Sequence, residues 1–188
     1  MPFHNVNGII YYTFDVLDAL NIKHAIFTRH GGVSPNPWFS LNFGSLVGDD
    51  PNRALENHQR AFRALDCSLE SKYDVWQVHS AEVVIAEAPR PMNQTHKKAD
   101  AIITQKNHVT LFMRFADCVP ILLYDKKKRV IGLVHAGWQG TLKKICYQVI
   151  TTMQNVIQSC PSDIVAAIGP SIGPNAYEVG SEVVSLYK

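Results

Sequence analysis

Apolar runs of strand length recur along the whole chain, and most contain β-branched or aromatic residues. Each run is bounded by polar or turn-forming residues, a pattern that predicts a β-strand. Strands are predicted at residues 9–14, 25–28, 83–86, 101–104, 109–115, 121–124, 130–135 and 164–168. Because few helical segments separate these runs, the pattern predicts an α+β fold with layered, mixed sheets and no regular βαβ alternation.

Helical periodicity is visible in two segments, and the first begins at a clear start signal. Asp50 is a favourable N-cap residue, and Pro51 occupies the first helical position. The apolar residues Leu55, Phe62 and Leu65 of this helix are predicted to face inward.

The second helix is predicted from about Thr141 to Ser159, where apolar residues recur every three or four positions. Cys146 and Val156 lie on this apolar stripe, so Cys146 is predicted to be a core residue. Glycines 137 and 140 are predicted to form a tight turn before the helix, whose N-terminal N–H groups would suit an anion.

Length and charge narrow the class of protein. A chain of 188 residues fits one domain, predicted to span residues 1–188. The net charge is +2, from 18 basic and 16 acidic residues, which argues against a dedicated nucleic-acid-binding protein. No apolar run is long enough to span a membrane, and the four cysteines show no C-x-x-C spacing. We therefore predict a cytoplasmic protein with reduced cysteines, and the oligomeric state stays open.

Reactive side chains concentrate in three short segments, at residues 76–80, 114–120 and 134–140. These segments contain His79, Cys118 and His135. One thiolate and two imidazoles suit Zn²⁺ best and copper next, whereas calcium and magnesium prefer oxygen ligands. Three protein ligands would leave a fourth position open, as in catalytic zinc sites. The alternative is a buried cysteine and two hydrogen-bonded histidines that only support the fold.

Arg29 adjoins a glycine turn at residues 29–32. Its planar guanidinium can hold a phosphate or carboxylate through two parallel hydrogen bonds. Arg29 is therefore a candidate anion-binding residue, with a surface ion pair as the alternative.

These segments resemble the YfiH family of purine nucleoside phosphorylases, many members of which carry older labels as multicopper polyphenol oxidases or laccase-domain proteins. Similar motifs follow in the same order at residues 27–34, 40–44, 47–51, 77–79, 99–104, 116–120, 135–140, 168–174 and 177–180. The resemblance implies a layered mixed β-sandwich flanked by helices. The family runs on for several tens of residues beyond Lys188, so the chain resembles a member that lacks its C-terminal part.

Carried over motif by motif, the resemblance implies that the metal is bound by His79 of Q-V-H, Cys118 of A-D-C-V-P and His135 of H-A-G-W. Zinc is the expected metal and copper the alternative. The implied activity is phosphorolysis of adenosine, inosine, guanosine and methylthioadenosine to a base and a ribose 1-phosphate, with adenosine deamination beside it. The expected partners are therefore a purine nucleoside and phosphate, and the preferred nucleoside stays open.

Five side chains are candidates for contact with substrate or for proton transfer. Asp117 could act as general acid or base, or it could orient a ligand histidine. Arg29 is expected to bind anionic oxygens. Asn42 and Gln77 could recognise base or ribose edges, and Trp138 could stack on the purine, although each of these three also suits a structural role.

Two other functions compete with the phosphorylase hypothesis. Copper-dependent phenol oxidation fits the older family label, but a multicopper cluster needs many imidazoles, and the eight histidines include no H-x-H pair. A non-catalytic interaction module is the third hypothesis, and it rests on the apparent shortening of the chain.

Overall fold

The computed structural model describes residues 2–187, which form two compact units that divide between Ser71 and Lys72. The predicted α+β fold is confirmed. Within the described residues, no helix has the length and apolar character required to cross a lipid bilayer. The single domain over residues 1–188 stays a prediction, and Lys188 lies outside the described residues.

The first unit is built on three antiparallel strands, with β2 in the centre. Its elements are β1 (Phe3–Val6), β2 (Ile9–Tyr12), α1 (Asp15–Asp18), β3 (Ile26–Phe27), α2 (Pro51–Ala64) and a 3₁₀ helix at Leu69–Ser71. Strand β1 was missed by the sequence pattern because its residues alternate between exposed and half-buried and include only two apolar side chains. The core of this unit gathers Ile9, Tyr11 and Leu41.

Helix α2 begins where the sequence placed it, since the Asp50 side chain accepts a hydrogen bond from the backbone N–H of Asn52 at 2.8 Å. Phe62 is buried as predicted, but the prediction for Leu55 was wrong, because this side chain is 37% exposed. Leu55 lies one position away from the face that packs inward. The buried residues of α2 are Ala54, Asn57, Ala61 and Phe62, so this face carries one large apolar side chain.

The strands of the second unit are β4 (Lys72–Tyr73), β5 (Val83–Ile85), β6 (Ala101–Thr104), β7 (Thr110–Leu111), β8 (Val119–Asp125), β9 (Val130–Ala136) and β10 (Ile164–Ile168). Five of them form a sheet in the order β10-β8-β9-β6-β5, and β4 pairs with β7 separately. Strand β5 runs parallel to β6, whereas the other neighbours in the large sheet are antiparallel, so this sheet is mixed.

The apolar run at residues 109–115 shows the limit of the strand predictions. Only Thr110–Leu111 pairs as a strand, although Val109, Phe112 and Met113 are buried. The apolar run at residues 109–115 therefore indicates burial but not strand pairing. Strand β4 was not predicted, because two residues are too few to show an alternation of apolar and polar positions.

Three helices, α3 (Trp138–Leu142), α4 (Ile145–Ile157) and α5 (Ser181–Leu186), and two 3₁₀ helices, Pro161–Asp163 and Pro174–Ala176, complete the second unit. The single helix predicted from about Thr141 is thus two helices, because Lys144 has a left-handed backbone with φ of +61°. Gly140 lies inside α3, so the turn before this helix is made at Gly137 and not at both glycines.

Helix α4 buries a narrower face than its sequence predicted. Ile145, Val149 and Met153 are fully buried, whereas Cys146 and Val156 are exposed. The prediction of Cys146 as a core residue was therefore wrong. Its thiol lies one position beyond Ile145, on the solvent side of the packed stripe.

Successive side chains of a strand point to opposite faces of the sheet, so the core of the second unit lies in two layers. Ala101 and Ile103 of β6 face one side of the sheet, where they pack with Val149 and the rest of the buried face of α4. Ile102 faces the other side, where it packs with Tyr73 of β4. The layers are therefore helix, five-stranded sheet and two-stranded sheet.

A buried ion-pair group ties β4 to the loop after β5. Arg90 Nε lies 2.6 Å from Asp74 Oδ1, and Lys72 Nζ lies 2.9 Å from Asp74 Oδ2, with all three side chains at most 15% exposed. Burial by itself raises the pKa of Asp74, but hydrogen bonds from Arg90 and Lys72 outweigh it and lower the pKa to about 2.

Replacing Asp74 by asparagine should reduce stability and alter its dependence on pH. The ordinary pKa of an aspartate is about 3.9, so the depressed pKa of Asp74 stabilises the fold above about pH 4, and this contribution is lost as the pH falls through about 2. We expect Asp74→Asn to cost about 2–4 kcal/mol at pH 7 and to flatten the loss of stability between about pH 4 and 2. Urea unfolding at several pH values measures both effects. Glu87→Gln, which breaks the exposed pair with Lys106, should change stability by less than about 1 kcal/mol.

Candidate metal centre

Four segments of the second unit meet at one end of the five-stranded sheet. Asp100 directly precedes β6, Cys118 directly precedes β8, and His135 is the next-to-last residue of β9. Because β9 is antiparallel to both β6 and β8, Asp100, Cys118 and His135 lie side by side at this end of the sheet. His79 lies in the loop before β5, which starts at the same end because it runs parallel to β6.

The three predicted metal ligands are close together in the structure. One donor atom from each of His79, Cys118 and His135 lies within 4.8 Å of the other two. The two imidazole rings meet edge to face, with centroids 5.0 Å apart. His135 is 5% exposed, whereas His79 and Cys118 are half-buried, so solvent reaches the group from the side of those two residues.

This arrangement fits a small cation with nitrogen and sulfur ligands. Zinc bonds of about 2.0–2.3 Å in a tetrahedral site require the donors to approach one another by about 1 Å more. Space for that approach is left by Gly137, where an added Cβ would lie 2.7 Å from Cys118 Sγ and 3.0 Å from His79 Cδ2. A glycine at this position therefore keeps the centre of the group free.

His79 is held in an unusual backbone conformation, with φ of +55°. The carboxylate of Asp100 stabilises this turn, because Oδ1 accepts the N–H of His79 at 3.0 Å and Oδ2 accepts the N–H groups of Val78 and Ser80 at 3.2 and 2.6 Å. Lys143 Nζ also donates to the carbonyl oxygen of His79 at 2.8 Å. The loop that carries His79 is therefore held by side chains that bond to its backbone.

Asp100 contacts the second histidine as well. Its Oδ1 lies 2.8 Å from Nδ1 of His135, and its own side chain is fully buried. Burial by itself raises the pKa of the Asp100 carboxyl, but hydrogen bonds from His135, Ser80 and Val78 lower it far below its usual range. Asp100 is therefore ionised throughout the neutral range.

Burial raises the pKa of the Cys118 thiol, and the negative charges of Asp117 and Asp100 raise it further. In the metal-free protein Cys118 is therefore a neutral thiol at pH 7. A metal ion that binds here has to displace the thiol proton, because only the thiolate is an effective ligand.

Asp117, the predicted general acid or base, is exposed and lies in the loop before β8. The alternative considered for Asp117 was to orient a ligand histidine, but the carboxylate that lies 2.8 Å from Nδ1 of His135 is that of Asp100. The sequence motif at residues 99–104 contains Asp100, but its role was missed. An acidic residue immediately before the mainly apolar strand β6 was the signal that could have identified it.

Gln77 and Trp138 lie close in sequence to the candidate metal ligands His79 and His135. The side-chain amide of Gln77 forms two hydrogen bonds with the backbone of Arg114. Gln77 Nε2 donates to the carbonyl oxygen of Arg114 at 2.7 Å, and Gln77 Oε1 accepts the N–H of Arg114 at 3.0 Å. Gln77 thus secures the segment that leads to Cys118. Trp138 is half-buried at the start of α3, and its carbonyl oxygen accepts a hydrogen bond from Tyr187 at 2.6 Å.

Arg29 and Asn42 belong to the first unit. Arg29 is exposed, and its Nε donates to the carbonyl oxygen of Phe39 at 2.7 Å. The Asn42 amide donates to Gly44 and Asp49 at 2.8 and 2.9 Å, and its oxygen accepts the N–H of Gly44 at 3.1 Å. Asn42 is therefore engaged within its own loop.

Comparison with known proteins extends over most of the chain. A family model described as multi-copper polyphenol oxidoreductase laccase matches residues 23–188. A purine nucleoside phosphorylase of Deinococcus radiodurans is 38% identical over 169 residues, which cover 90% of this chain and 64% of that protein. Purine nucleoside phosphorylase YlmD of Geobacillus stearothermophilus is 37% identical over 163 residues, which cover 84% of this chain and 60% of that protein. The chain thus spans 60–64% of the length of these two relatives.

Solved structures show the same fold. The crystal structure of YlmD from Geobacillus stearothermophilus has a TM-score of 0.82 at 36% identity and covers 86% of this chain and 62% of that chain. The crystal structure of the Bacillus licheniformis hypothetical protein YfiH has a TM-score of 0.88 at 27% identity and covers 98% of this chain and 70% of that chain. The predicted YfiH-like fold is confirmed.

Proposed function

Because this chain belongs to the YfiH family, we propose that it is a metal-dependent purine nucleoside phosphorylase. The observation that carries the proposal is the group of His79, Cys118 and His135, with donor atoms within 4.8 Å of one another and half-buried on one side. The names of the curated relatives supply the substrate class, a purine nucleoside and phosphate. We propose adenosine, inosine, guanosine and methylthioadenosine as substrates, and adenosine deamination as a second activity.

We propose zinc as the metal, held by two imidazoles and one thiolate. When bound, zinc supplies a Lewis acid that polarises a substrate group or acidifies a water molecule. The protein's own contribution is to hold the three ligands rigidly at the end of the sheet and to shield His135 in the core. Asp117, exposed beside Cys118, is proposed to donate or accept the proton that the reaction requires.

Two of the candidate substrate-binding side chains are retained in this proposal. Trp138 follows Gly137 directly and is proposed to stack on the purine. Arg29 is proposed to bind anionic oxygens through its terminal nitrogens, since its Nε is bonded to Phe39. Asn42 and Gln77 have their amides engaged within the fold, and we propose that both shape loops and do not touch the base.

Incubation of the zinc-loaded protein with inosine and with adenosine, each with and without phosphate, tests the proposal. We expect hypoxanthine from inosine only when phosphate is present, because inosine has no 6-amino group and cannot be deaminated. Adenosine should give adenine only with phosphate, and it should give inosine with or without phosphate. Removing the metal with a chelator should abolish both reactions, and zinc should restore them.

Guanosine and methylthioadenosine in the same assay would establish the preferred nucleoside. Hypoxanthine release that is independent of phosphate would indicate a hydrolase. No conversion by a metal-loaded, folded protein would favour the interaction module over an enzyme. A cytoplasmic location stays a prediction beside this function.

Copper-dependent phenol oxidation is the second candidate, because the description of the matching family model names it. The group of two histidines and one cysteine can hold one copper ion. Reduction of oxygen to water needs four electrons, however, and a single copper supplies one at a time. Elemental analysis of the protein as purified, followed by a phenol oxidation assay after copper loading, separates this candidate from the phosphorylase.

A further inference from the structure

The Asp100 side chain forms hydrogen bonds with the segments of both candidate histidine ligands. It accepts hydrogen bonds from three consecutive backbone N–H groups at residues 78–80 and faces the ring of His135. The Ser80 hydroxyl adds a further hydrogen bond to Oδ2 at 2.7 Å. Five donors therefore converge on one carboxylate that is completely buried.

The contact with His135 decides which ring nitrogen can bind a metal. An ionised carboxylate only accepts hydrogen bonds, so the neighbouring Nδ1 has to carry the proton. The lone pair of the neutral ring then lies on Nε2. A histidine ligand is normally fixed in this way by a carboxylate or carbonyl behind it, which also increases its basicity.

We propose that Asp100 is the positioning residue of the metal centre: it fixes the tautomer of His135 and the backbone turn of His79 at the same time. The two histidines come from distant parts of the chain, and their relative geometry depends on this shared carboxylate. Its negative charge, together with the Cys118 thiolate, also balances the two positive charges of a bound zinc ion. The inference rests on the proposed metal site and adds to it a residue that touches no metal.

Asp100→Asn is the sharpest test, because it keeps the shape of the side chain and changes only its charge and its hydrogen bonding. An amide has one oxygen in place of two, so its NH₂ group has to face either His135 Nδ1 or the donors of Val78 and Ser80. The first arrangement makes Nδ1 an acceptor and moves the ring proton to Nε2, where the metal should bind, and it also leaves the N–H of His79 without an acceptor. The second leaves two backbone N–H groups without an acceptor and releases the turn at His79.

Zinc affinity, measured by competition with a chromophoric chelator, should fall about 10–100-fold in Asp100→Asn. Asp125→Asn is the matched control. Asp125 is also fully buried and accepts two backbone N–H groups, but it lies at the opposite end of β8, about 20 Å from Cys118. Asp125→Asn should lose stability without a change in zinc affinity, and unchanged zinc affinity in folded Asp100→Asn would overturn the proposal.

Two further measurements keep the test decisive if Asp100→Asn does not fold. Ser80→Ala removes one hydrogen bond from Oδ2 and should weaken zinc binding by a few-fold, a smaller effect than that of Asp100→Asn. In the metal-free wild type, ¹⁵N-edited NMR should show His135 protonated at Nδ1, and protonation at Nε2 would contradict the proposal. If the wild type binds no zinc at all, the metal site itself fails, which is distinct from failure of the Asp100 role.

Discussion

Cys118→Ser is expected to lose the bound metal while keeping the fold. A serine hydroxyl is a far poorer zinc ligand than a thiolate, and two imidazoles alone hold zinc weakly. Loss of a residue that only hydrogen-bonds to a metal ligand already lowers metal affinity about 10–100-fold. Removal of the thiolate ligand itself should therefore lower zinc affinity at least about 100-fold. The protein should then contain close to no zinc after dialysis, and turnover of both nucleosides should disappear with it.

The fold should survive this change because Cys118 is half-buried in the loop before β8 and lies outside the packed core. We expect the metal-free forms of the wild type and the variant to differ by about 1 kcal/mol or less in unfolding free energy. The comparison has to be made without metal, since binding to the native state alone raises stability. Cys146→Ser is the matched control, because its thiol is exposed and lies in the same unit; equal zinc content in wild type and Cys118→Ser would remove Cys118 from the site.

The candidate metal ligands could be named from the sequence because their chemistry is recognisable from residue type. The reactive segments at residues 76–80, 114–120 and 134–140 suggested a zinc site at His79, Cys118 and His135, and the motif resemblance implied the same three residues. Proximity in space could not be derived in the same way. It depends on the order of β6, β9 and β8 in the sheet, which short apolar runs do not encode.

The role of Asp100 was out of reach for a similar reason. Its five hydrogen-bonding partners become neighbours only when β6 pairs with β9 and the loop at residues 78–80 folds back over the strand end. Helix α4 shows the same limit in the core. Its apolar periodicity predicted burial of Cys146 and Val156, but burial depends on what packs against the helix, and the described chain covers only a narrow face.

Gly137→Ala is expected to damage the metal centre without disturbing the backbone. The glycine has φ of −80° and ψ of 175°, a conformation that alanine adopts without strain. Its added methyl group, however, would lie 2.7 Å from Cys118 Sγ and 3.0 Å from His79 Cδ2, well inside normal contacts of about 3.5–4.0 Å. The thiol and the ring therefore have to move apart, by about 1 Å, whereas zinc requires them to move together.

A displacement of this size at a reactive centre typically costs about 100-fold in rate, and we expect zinc affinity to fall on a similar scale. Gly173→Ala is the control, because an added Cβ there meets no atom within 4 Å and the glycine has φ of −79°. It should match the wild type in zinc affinity, turnover and stability. Zinc titration and turnover measured on both variants separate a steric effect at the site from a general effect of adding a methyl group. If Gly137→Ala bound zinc as tightly as Gly173→Ala, the space between Cys118 and His79 would not be where the ion sits.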